Sequence, residues 1–317
     1  MIHMHPPCRL DSLSFFGYLE CASPLFETKY RSSNANKTIR LKRLLNFLKI
    51  EHTLFTLPMI YSGVFLASRE KPSNELLLLV LIASVGARTV AMTLNRIIDR
   101  EIDKRNPRTA GRELPTGRLT LRQAALVLGG ALFLYLAAAR QISGFCFALS
   151  PIPLIVFIVY PYLKRFTPLA HFGVGLGMSM APLGGWFAIT GSFANLATGL
   201  ILPFFVLLWG TGFDIIYSTL DEEFDRNANL YSFPSRFGKE RALRISGVLH
   251  FLAFVVLVVL FFHSLKAVVA VPPLLLSGLL LYLEQKKAED VELAFFKINI
   301  LLGFNIFAMV ILPIVTP

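Results

Sequence analysis

Charged residues and cysteines are scarce in this 317-residue sequence, and each shortage excludes a class of protein. Only 16% of the residues are charged while 55% are hydrophobic, and the mean hydropathy is +0.61. This composition is typical of a membrane protein and excludes an ordinary soluble domain. The three cysteines, Cys8, Cys21 and Cys146, form no CxxC pair and have no clustered histidines nearby. Neither a disulfide framework nor a zinc site is therefore expected.

The charges that are present are mostly positive, with 31 Lys and Arg against 20 Asp and Glu and a net charge of +11. They lie in short segments between apolar runs. Because Lys and Arg are enriched in the cytoplasmic loops of membrane proteins, this balance indicates membrane topology rather than nucleic-acid binding. We expect a lipid bilayer around the chain and no nucleic acid as a partner.

Apolar runs of membrane-spanning length, about 20 residues each, fill the chain from residue 41 onward. They predict an all-α multi-pass membrane protein, a bundle of about nine transmembrane helices in one domain, residues 41–317. Residues 1–40 are polar and lack the features of a signal peptide, so we expect a cytoplasmic N-terminal extension there. The predicted spans are roughly 44–67, 76–99, 121–139, 143–162, 168–190, 195–219, 242–264, 267–284 and 293–315.

Charge bias between alternate connections predicts the orientation. The segment before the first run and every second connection after it are rich in Lys and Arg, whereas the connections between them are poor. Because Lys and Arg concentrate on the cytoplasmic side, we expect an integral inner-membrane or plasma-membrane protein whose active site faces the cytoplasm.

An acidic pattern occurs twice, each time where an apolar run ends on the predicted cytoplasmic side. In the first copy, steps of four residues place Asn95, Asp99 and Asp103 on one helix face, with a drift of roughly 40° per step. The second copy places four side chains on one face: Asp214, Tyr217, Asp221 and Asp225. Arginine-rich loops lie beside the motifs, with Arg108 and Arg112 as candidate anion contacts. Together these groups predict a metal-bridged phosphate.

Salt bridges between helices are the alternative explanation of the acidic pairs. Carboxylates near hydrocarbon are costly without partners, and two such pairs on one membrane side favour a functional site. Mg²⁺ prefers carboxylate and phosphate oxygens, so two clusters could hold two ions around a diphosphate. Arg88 lies about 10 Å deeper along the helix than Asn95. It therefore needs either one of the chain's own aspartates or an acidic substrate.

Other residues are assigned structural roles or none. Glycines in the fifth run are predicted to allow close helix packing rather than nucleotide binding. They are residues 173, 175, 177, 184 and 185. His171, His250 and His263 receive no role.

The motifs resemble those of the UbiA superfamily of intramembrane aromatic prenyltransferases over roughly residues 44–315. NRIIDREID (95–103) and RTAGRELPTG (108–117) are similar to the family's NDxxDxxxD and RTxxRPLPxG. DIIYSTLDEEFD (214–225) followed by SFPSRFG (232–238) is similar to DxxYxxxDxxxD and the stretch after it. A YPxxKRxT segment matches at 160–167, and FFKIN at 295–299 looks like the opening of the last helix.

The resemblance implies a nine-helix bundle around a central cavity that opens to lipid. Its two motifs would bind Mg²⁺ and the diphosphate of a polyprenyl donor, and the acceptor would be an aromatic acid. The implied metal residues are Asn95, Asp99, Asp103, Asp221 and Asp225. The implied substrate contacts are Asn95, Arg108, Arg112, Tyr217 and Lys164. We add two hypotheses of our own: that Arg88 orients the acceptor carboxylate and that Asp214 accepts a proton.

One position departs from the family pattern, because Arg96 stands where the family usually has Asp. Residue 96 lies about 100° around the helix from Asn95, so loss of metal binding need not follow. This variant resembles the menaquinone-pathway branch, whose acceptor is a dihydroxynaphthoate, while 4-hydroxybenzoate is the other candidate.

Two other functions are compatible with a polytopic chain. A transporter of an acidic or phosphorylated solute often carries internal repeats, but its site lies near the midplane rather than at one face. A phospholipid head-group transferase would carry DGxxAR…GxxxDxxxD, which this sequence lacks.

Overall fold

The computed structural model describes residue 47 and residues 53–68, 71–291 and 293–316. These residues belong to the second of two units, Asn46–Pro317. The predicted extension, residues 1–40, and the start of the first predicted span lie outside them.

Nine apolar helices follow one another in the described ranges, and no strand occurs there. Eight are long and apolar enough to cross a membrane, and α1, with 16 residues, is shorter. The prediction of about nine membrane helices is thereby confirmed. The helices are α1 (Thr53–Ser68), α2 (Asn74–Ile98), α3 (Leu121–Ile142), α4 (Gly144–Leu163), α5 (Ala170–Thr190), α6 (Leu196–Asn227), α7 (Lys239–Leu265), α8 (Val268–Lys286) and α9 (Phe296–Val315).

Short polar side chains cap the N-termini of α2 and α3. Ser73 Oγ accepts a hydrogen bond from the Leu76 N–H at the start of α2. Thr120 and Gln123 cap α3 reciprocally. Such caps satisfy amide groups that have no partner within the helix. Gly191 ends α5 with a φ of 56°, a left-handed conformation that glycine adopts without a Cβ clash.

Both acidic motifs interrupt their helices at the middle aspartate. α2 ends at Ile98, Asp99 has φ −93° and ψ 1°, and a short helix Arg100–Arg105 follows. In α6 a 3₁₀ turn, Thr219–Asp221, separates Ile201–Ser218 from Glu222–Asn227. The expectation of one regular helix through each motif is therefore wrong. The first motif keeps its spacing, because the amides of Asp99 and Asp103 still bond four residues back, at 3.0 and 2.8 Å.

Neighbouring helices pack in chain order, and α9 returns to α1. α5 contacts α1, α4 and α6. Glycine permits these close approaches: a Cβ at Gly185 would lie 2.1 Å from the Ile60 carbonyl oxygen, and one at Gly175 would lie 2.4 Å from the Leu207 carbonyl oxygen. The predicted packing role is confirmed at these two positions. Gly184 has open space instead.

Large apolar side chains remain exposed on the outer helix faces, among them Leu126, Phe133, Phe251 and Leu275. An apolar surface of this extent is typical of lipid contact. The interior also holds a polar chain: Trp209 Nε1 donates to Asn299 Oδ1 (2.7 Å), and Asn299 Nδ2 donates to Glu284 Oε1 (2.8 Å). These bonds join α6, α9 and α8. They also give the buried polar groups the partners that they need away from water.

Candidate active site

A cavity of about 380 Å³ lies among α1 to α6. Along α2 its lining recurs at Val80, Ala83, Ala87, Ala91 and Asn95, at intervals of three and four residues that define one helix face. From Val80 to Asn95 this face runs for about 22 Å at 1.5 Å per residue. The cavity is therefore long and follows α2.

The two ends of the cavity differ in chemistry. Apolar side chains of α1, α3 and α5 surround one end, including Ile60, Ile142 and Phe187. Polar side chains collect at the end where the acidic motifs begin; they are Asn95, Arg96, Arg112, Asp214 and Tyr217. An apolar channel with a charged mouth can accept a molecule that has an anionic head and a hydrocarbon tail.

Asp99, the middle residue of the first motif, is buried with 3% exposure. Lys164 Nζ donates to its Oδ2 at 2.6 Å, and Asn95 Nδ2 donates to the same oxygen at 3.2 Å. Burial raises the pKa of Asp99, and the charge of Lys164 opposes that rise. Asp99 Oδ1 makes no hydrogen bond, although the Arg165 guanidinium lies 3.5 Å away.

The other motif aspartates pair with the loop arginines. Arg112 Nη1 donates to both oxygens of Asp103, at 2.7 and 2.8 Å. Arg108 Nε donates to Asp221 Oδ1 at 2.8 Å, and its Nη2 donates to Asp221 Oδ2. Arg108 Nη1 also donates to the Tyr217 hydroxyl at 2.7 Å. The structure thus brings residues of both motifs into contact with the basic loop.

Asp225 stands apart from these pairs. It lies in the segment Glu222–Asn227, half-buried beside Ser232. The backbone carbonyl of Asp225 accepts a hydrogen bond from the Leu230 N–H at 2.8 Å. This bond closes the turn after α6.

Asp214 pairs with His171, a residue to which the sequence analysis gave no role. His171 is 5% exposed, and its Nδ1 lies 2.6 Å from Asp214 Oδ2. The Phe233 N–H donates to Nε2 at 3.4 Å. Nε2 is then the acceptor nitrogen, so the ring hydrogen is assigned to Nδ1 and points at Asp214. One indication of this contact was present in the sequence: His171 is a polar residue in a predominantly apolar helix.

Arg88 lines the cavity about 10 Å below Asn95. Its buried Nε makes no hydrogen bond. Among the residues that the structure describes, no aspartate forms an ion pair with it.

Two residues whose spacing in the sequence indicated no role, Arg96 and Asn106, also lie at this site. Arg96 lines the same cavity as Asn95, with 5% exposure, despite the 100° between them. The arginine side chain is long enough to reach the cavity even though its backbone direction differs from that of Asn95. Asn106 Nδ2 donates to Asp221 Oδ1 at 2.7 Å. No pattern in the loop sequence indicated that contact.

The donor chemistry of the site fits magnesium, because its candidate ligands are carboxylate and amide oxygens. Asp99 Oδ1 is a buried oxygen without a hydrogen bond. Within the described ranges no three His, Cys, Asp or Glu side chains form a cluster that could hold an ion. Mg²⁺ commonly binds through one or two carboxylates completed by substrate phosphate. The site fits that mode rather than an all-protein cage.

Comparison with known proteins agrees with this geometry. Residues 56–301 match the UbiA prenyltransferase family. The mitochondrial 4-hydroxybenzoate polyprenyltransferase of Arabidopsis thaliana is 30% identical over 56% of this chain, which spans only 43% of that relative. The 4-hydroxybenzoate octaprenyltransferase of Tolumonas auensis is 29% identical over 79% of this chain and 88% of its own.

Solved structures show the same fold. The apo structure of a UbiA homologue from Aeropyrum pernix K1 is 32% identical, with a TM-score of 0.78 over 83% of this chain and 98% of its own. A UbiA homologue from Archaeoglobus fulgidus, bound to GPP and Mg²⁺, is 23% identical, with a TM-score of 0.66 over 84% of this chain and 99% of its own.

Proposed function

We propose that this chain, which belongs to the UbiA prenyltransferase family, transfers a polyprenyl group from its diphosphate to an aromatic acid in a Mg²⁺-dependent reaction. The observation that carries the proposal is the cavity, whose apolar length ends at two acidic motifs and a basic loop. This polarity matches a prenyl diphosphate, which has a hydrocarbon chain and an anionic head.

The diphosphate would lie at the polar end. Asn95, Asp99, Asp103, Asp221 and Asp225 are the residues that would hold magnesium there. Magnesium, when bound, supplies positive charge that offsets the charge gathering on the leaving diphosphate. Aspartates that bind magnesium would no longer depend on ion pairs with the basic side chains. Arg108, Arg112 and Lys164 would then donate hydrogen bonds to the diphosphate oxygens instead. Guanidinium groups suit this role because their fork matches phosphate geometry.

The aromatic acid would bind deeper, with its carboxylate at Arg88. The buried Arg88 Nε without a hydrogen bond supports this position. The bond that breaks joins the allylic carbon of the donor to the diphosphate oxygen. The bond that forms joins that carbon to the ring carbon ortho to a phenol. An apolar cavity keeps water from the cation-like carbon.

Asp214 would accept the proton that the ring loses. It lines the cavity, and the 2.6 Å contact with His171 fixes its orientation. A general base must lie within hydrogen-bond reach of its proton and be held in place. We further propose that the acceptor is 4-hydroxybenzoate or 1,4-dihydroxy-6-naphthoate in ubiquinone or menaquinone synthesis, and that the site faces the cytoplasm.

The test is an assay in membranes that contain the full chain, with Mg²⁺ and a long-chain prenyl diphosphate. Both acceptors are offered in parallel, and Asp99→Ala serves as the inactive control. We expect Mg²⁺-dependent formation of one prenylated acid. Intact donor and no product with either acceptor would count against this acceptor class. Uptake of a phosphorylated solute into vesicles would then support transport instead.

A further inference from the structure

Among the arginines that the structure describes at the polar end of the cavity, Arg96 alone has no hydrogen-bonded carboxylate. Its Nε and Nη1 are buried and make no hydrogen bond. Asp103 Oδ2 lies 4.0 Å from Nη1, which is beyond hydrogen-bonding distance. Both Asp103 oxygens already accept from Arg112. Asp103 is therefore shared between two guanidinium groups, and Glu113 is a second carboxylate whose charge acts on Arg96.

A buried guanidinium with unused donors is costly unless a partner completes it. Arg96 is 5% exposed and borders the cavity, so the missing partner comes from the cavity side. An anion that accepts hydrogen bonds from a guanidinium group, either a phosphate or a carboxylate, is the partner that this chemistry favours.

The position along α2 separates these two anions. Arg96 is adjacent to Asn95 and close to Asp103 and Arg112, whereas Arg88 lies eight residues earlier, about 12 Å deeper. A diphosphate at the acidic motifs is near Arg96, and an acceptor carboxylate at Arg88 is not.

We propose that Arg96 binds the donor's diphosphate directly and without metal, through guanidinium donors that have no partner within the described residues. This inference rests on the proposed function, since it assumes that the anionic ligand is a prenyl diphosphate. It follows that the chain retains affinity for the diphosphate when magnesium is removed. It also follows that Arg96 governs donor binding, whereas Arg88 governs acceptor binding.

The experiment is calorimetric titration of geranyl diphosphate into the full chain in lipid nanodiscs, once with EDTA and once with Mg²⁺. Arg96→Gln removes the charge, and Arg96→Lys keeps the charge without the fork. Arg100→Gln is the matched control, because Arg100 is four residues further on, is partly exposed and does not line the cavity, and its ion pair within the described residues is with Glu101.

We expect Arg96→Gln to raise the Kd measured in EDTA about tenfold or more, the loss that corresponds to one charge-assisted hydrogen bond. Arg96→Lys recovers part of the affinity. Arg100→Gln stays within about twofold of the wild type. In steady-state assays Arg96→Gln raises the KM for the donor and leaves the KM for the acceptor unchanged.

An Arg96→Gln affinity equal to that of the wild type in EDTA overturns the proposal. So does a wild type that binds geranyl diphosphate only with Mg²⁺. If Arg96→Gln does not fold, Arg96→Lys decides, and unchanged affinity there contradicts a role for the fork. Failure of the wild type to bind with Mg²⁺ refutes the proposed function as well, so the two failures are distinguishable.

Discussion

Basic side chains hold three motif aspartates in the structure: Lys164 with Asp99, Arg112 with Asp103, and Arg108 with Asp221. Carboxylates buried beside hydrocarbon need such partners. The same pairs place cationic donors next to the position where a diphosphate would bind. Each pair can therefore stabilise the ligand-free site and contribute to ligand binding.

Arg108 offers a direct test of the basic loop. Arg108→Lys keeps the charge but loses the fork that reaches both Asp221 and Tyr217. We expect kcat/KM for the prenyl diphosphate to fall about 10- to 100-fold, the loss of one or two charged hydrogen bonds. Steady-state kinetics measures it. Arg118→Lys is the control, because Arg118 lies in the same loop and, among the described residues, donates to the Thr116 hydroxyl and the Gly111 carbonyl but to no carboxylate. Equal kinetics for both variants would contradict this role.

The His171–Asp214 pair makes a second prediction at this scale. Asp214→Asn removes the proposed base, and we expect kcat to fall about 10²- to 10⁴-fold with the donor KM unchanged. His171→Leu acts through the position of Asp214 and should give a smaller loss in kcat. His263→Leu is the control, because His263 bonds Thr198 away from the cavity. A donor KM that rises as much as kcat falls would assign the pair to binding.

Individual site residues were predictable where spacing carries information. Steps of four residues selected Asp99, Asp103, Asp221 and Asp225 as candidates, and the first three pair with basic side chains in the structure. Their partners were not predictable, because the Asn106–Asp221 bond spans 115 residues and depends on the path of a loop. Arg96 was underestimated for a related reason: helix angles describe backbone directions, whereas a long side chain bends toward an available cavity.

Helices are the level at which the sequence was most informative. Apolar runs of about 20 residues predicted the spans, and Gly175 and Gly185 lie at helix contacts as expected. The breaks at Asp99 and Asp221 were not foreseen, since hydrophobic periodicity does not report a single turn of altered dihedral angles. These breaks lie where the apolar segments end and the polar chain begins.

Adjacent glycines in α5 give a matched test of helix packing. Gly185→Ala places a methyl group 2.1 Å from the Ile60 carbonyl oxygen, so α1 and α5 must separate. We expect the free energy of unfolding to drop by about 1–3 kcal/mol, as for other overpacked sites. Thermal unfolding in detergent measures the loss. Gly184→Ala, with open space at its Cβ, should unfold like the wild type. Equal melting temperatures would refute the predicted contact.

Across the whole molecule, the helices enclose an elongated cavity and present apolar side chains outward. One end of that cavity brings together residues from both halves of the chain, Asn95 from α2 and Tyr217 from α6. Composition alone could predict a membrane bundle. The volume and direction of the cavity depend on how the helices pack, which periodicity does not specify. The opening of the cavity to lipid and its cytoplasmic orientation remain predictions.

Our proposal requires the two acidic motifs to share one prenyl diphosphate. The most direct measurement is an experimental structure of the full chain with Mg²⁺ and a non-cleavable thiolodiphosphate analogue of a prenyl donor. We predict the diphosphate between the Asp99 and Asp221 motifs, with an oxygen at Arg96 and the prenyl chain along the α2 face from Asn95 toward Val80. A diphosphate bound away from either motif, or a prenyl chain outside the cavity, would contradict the account.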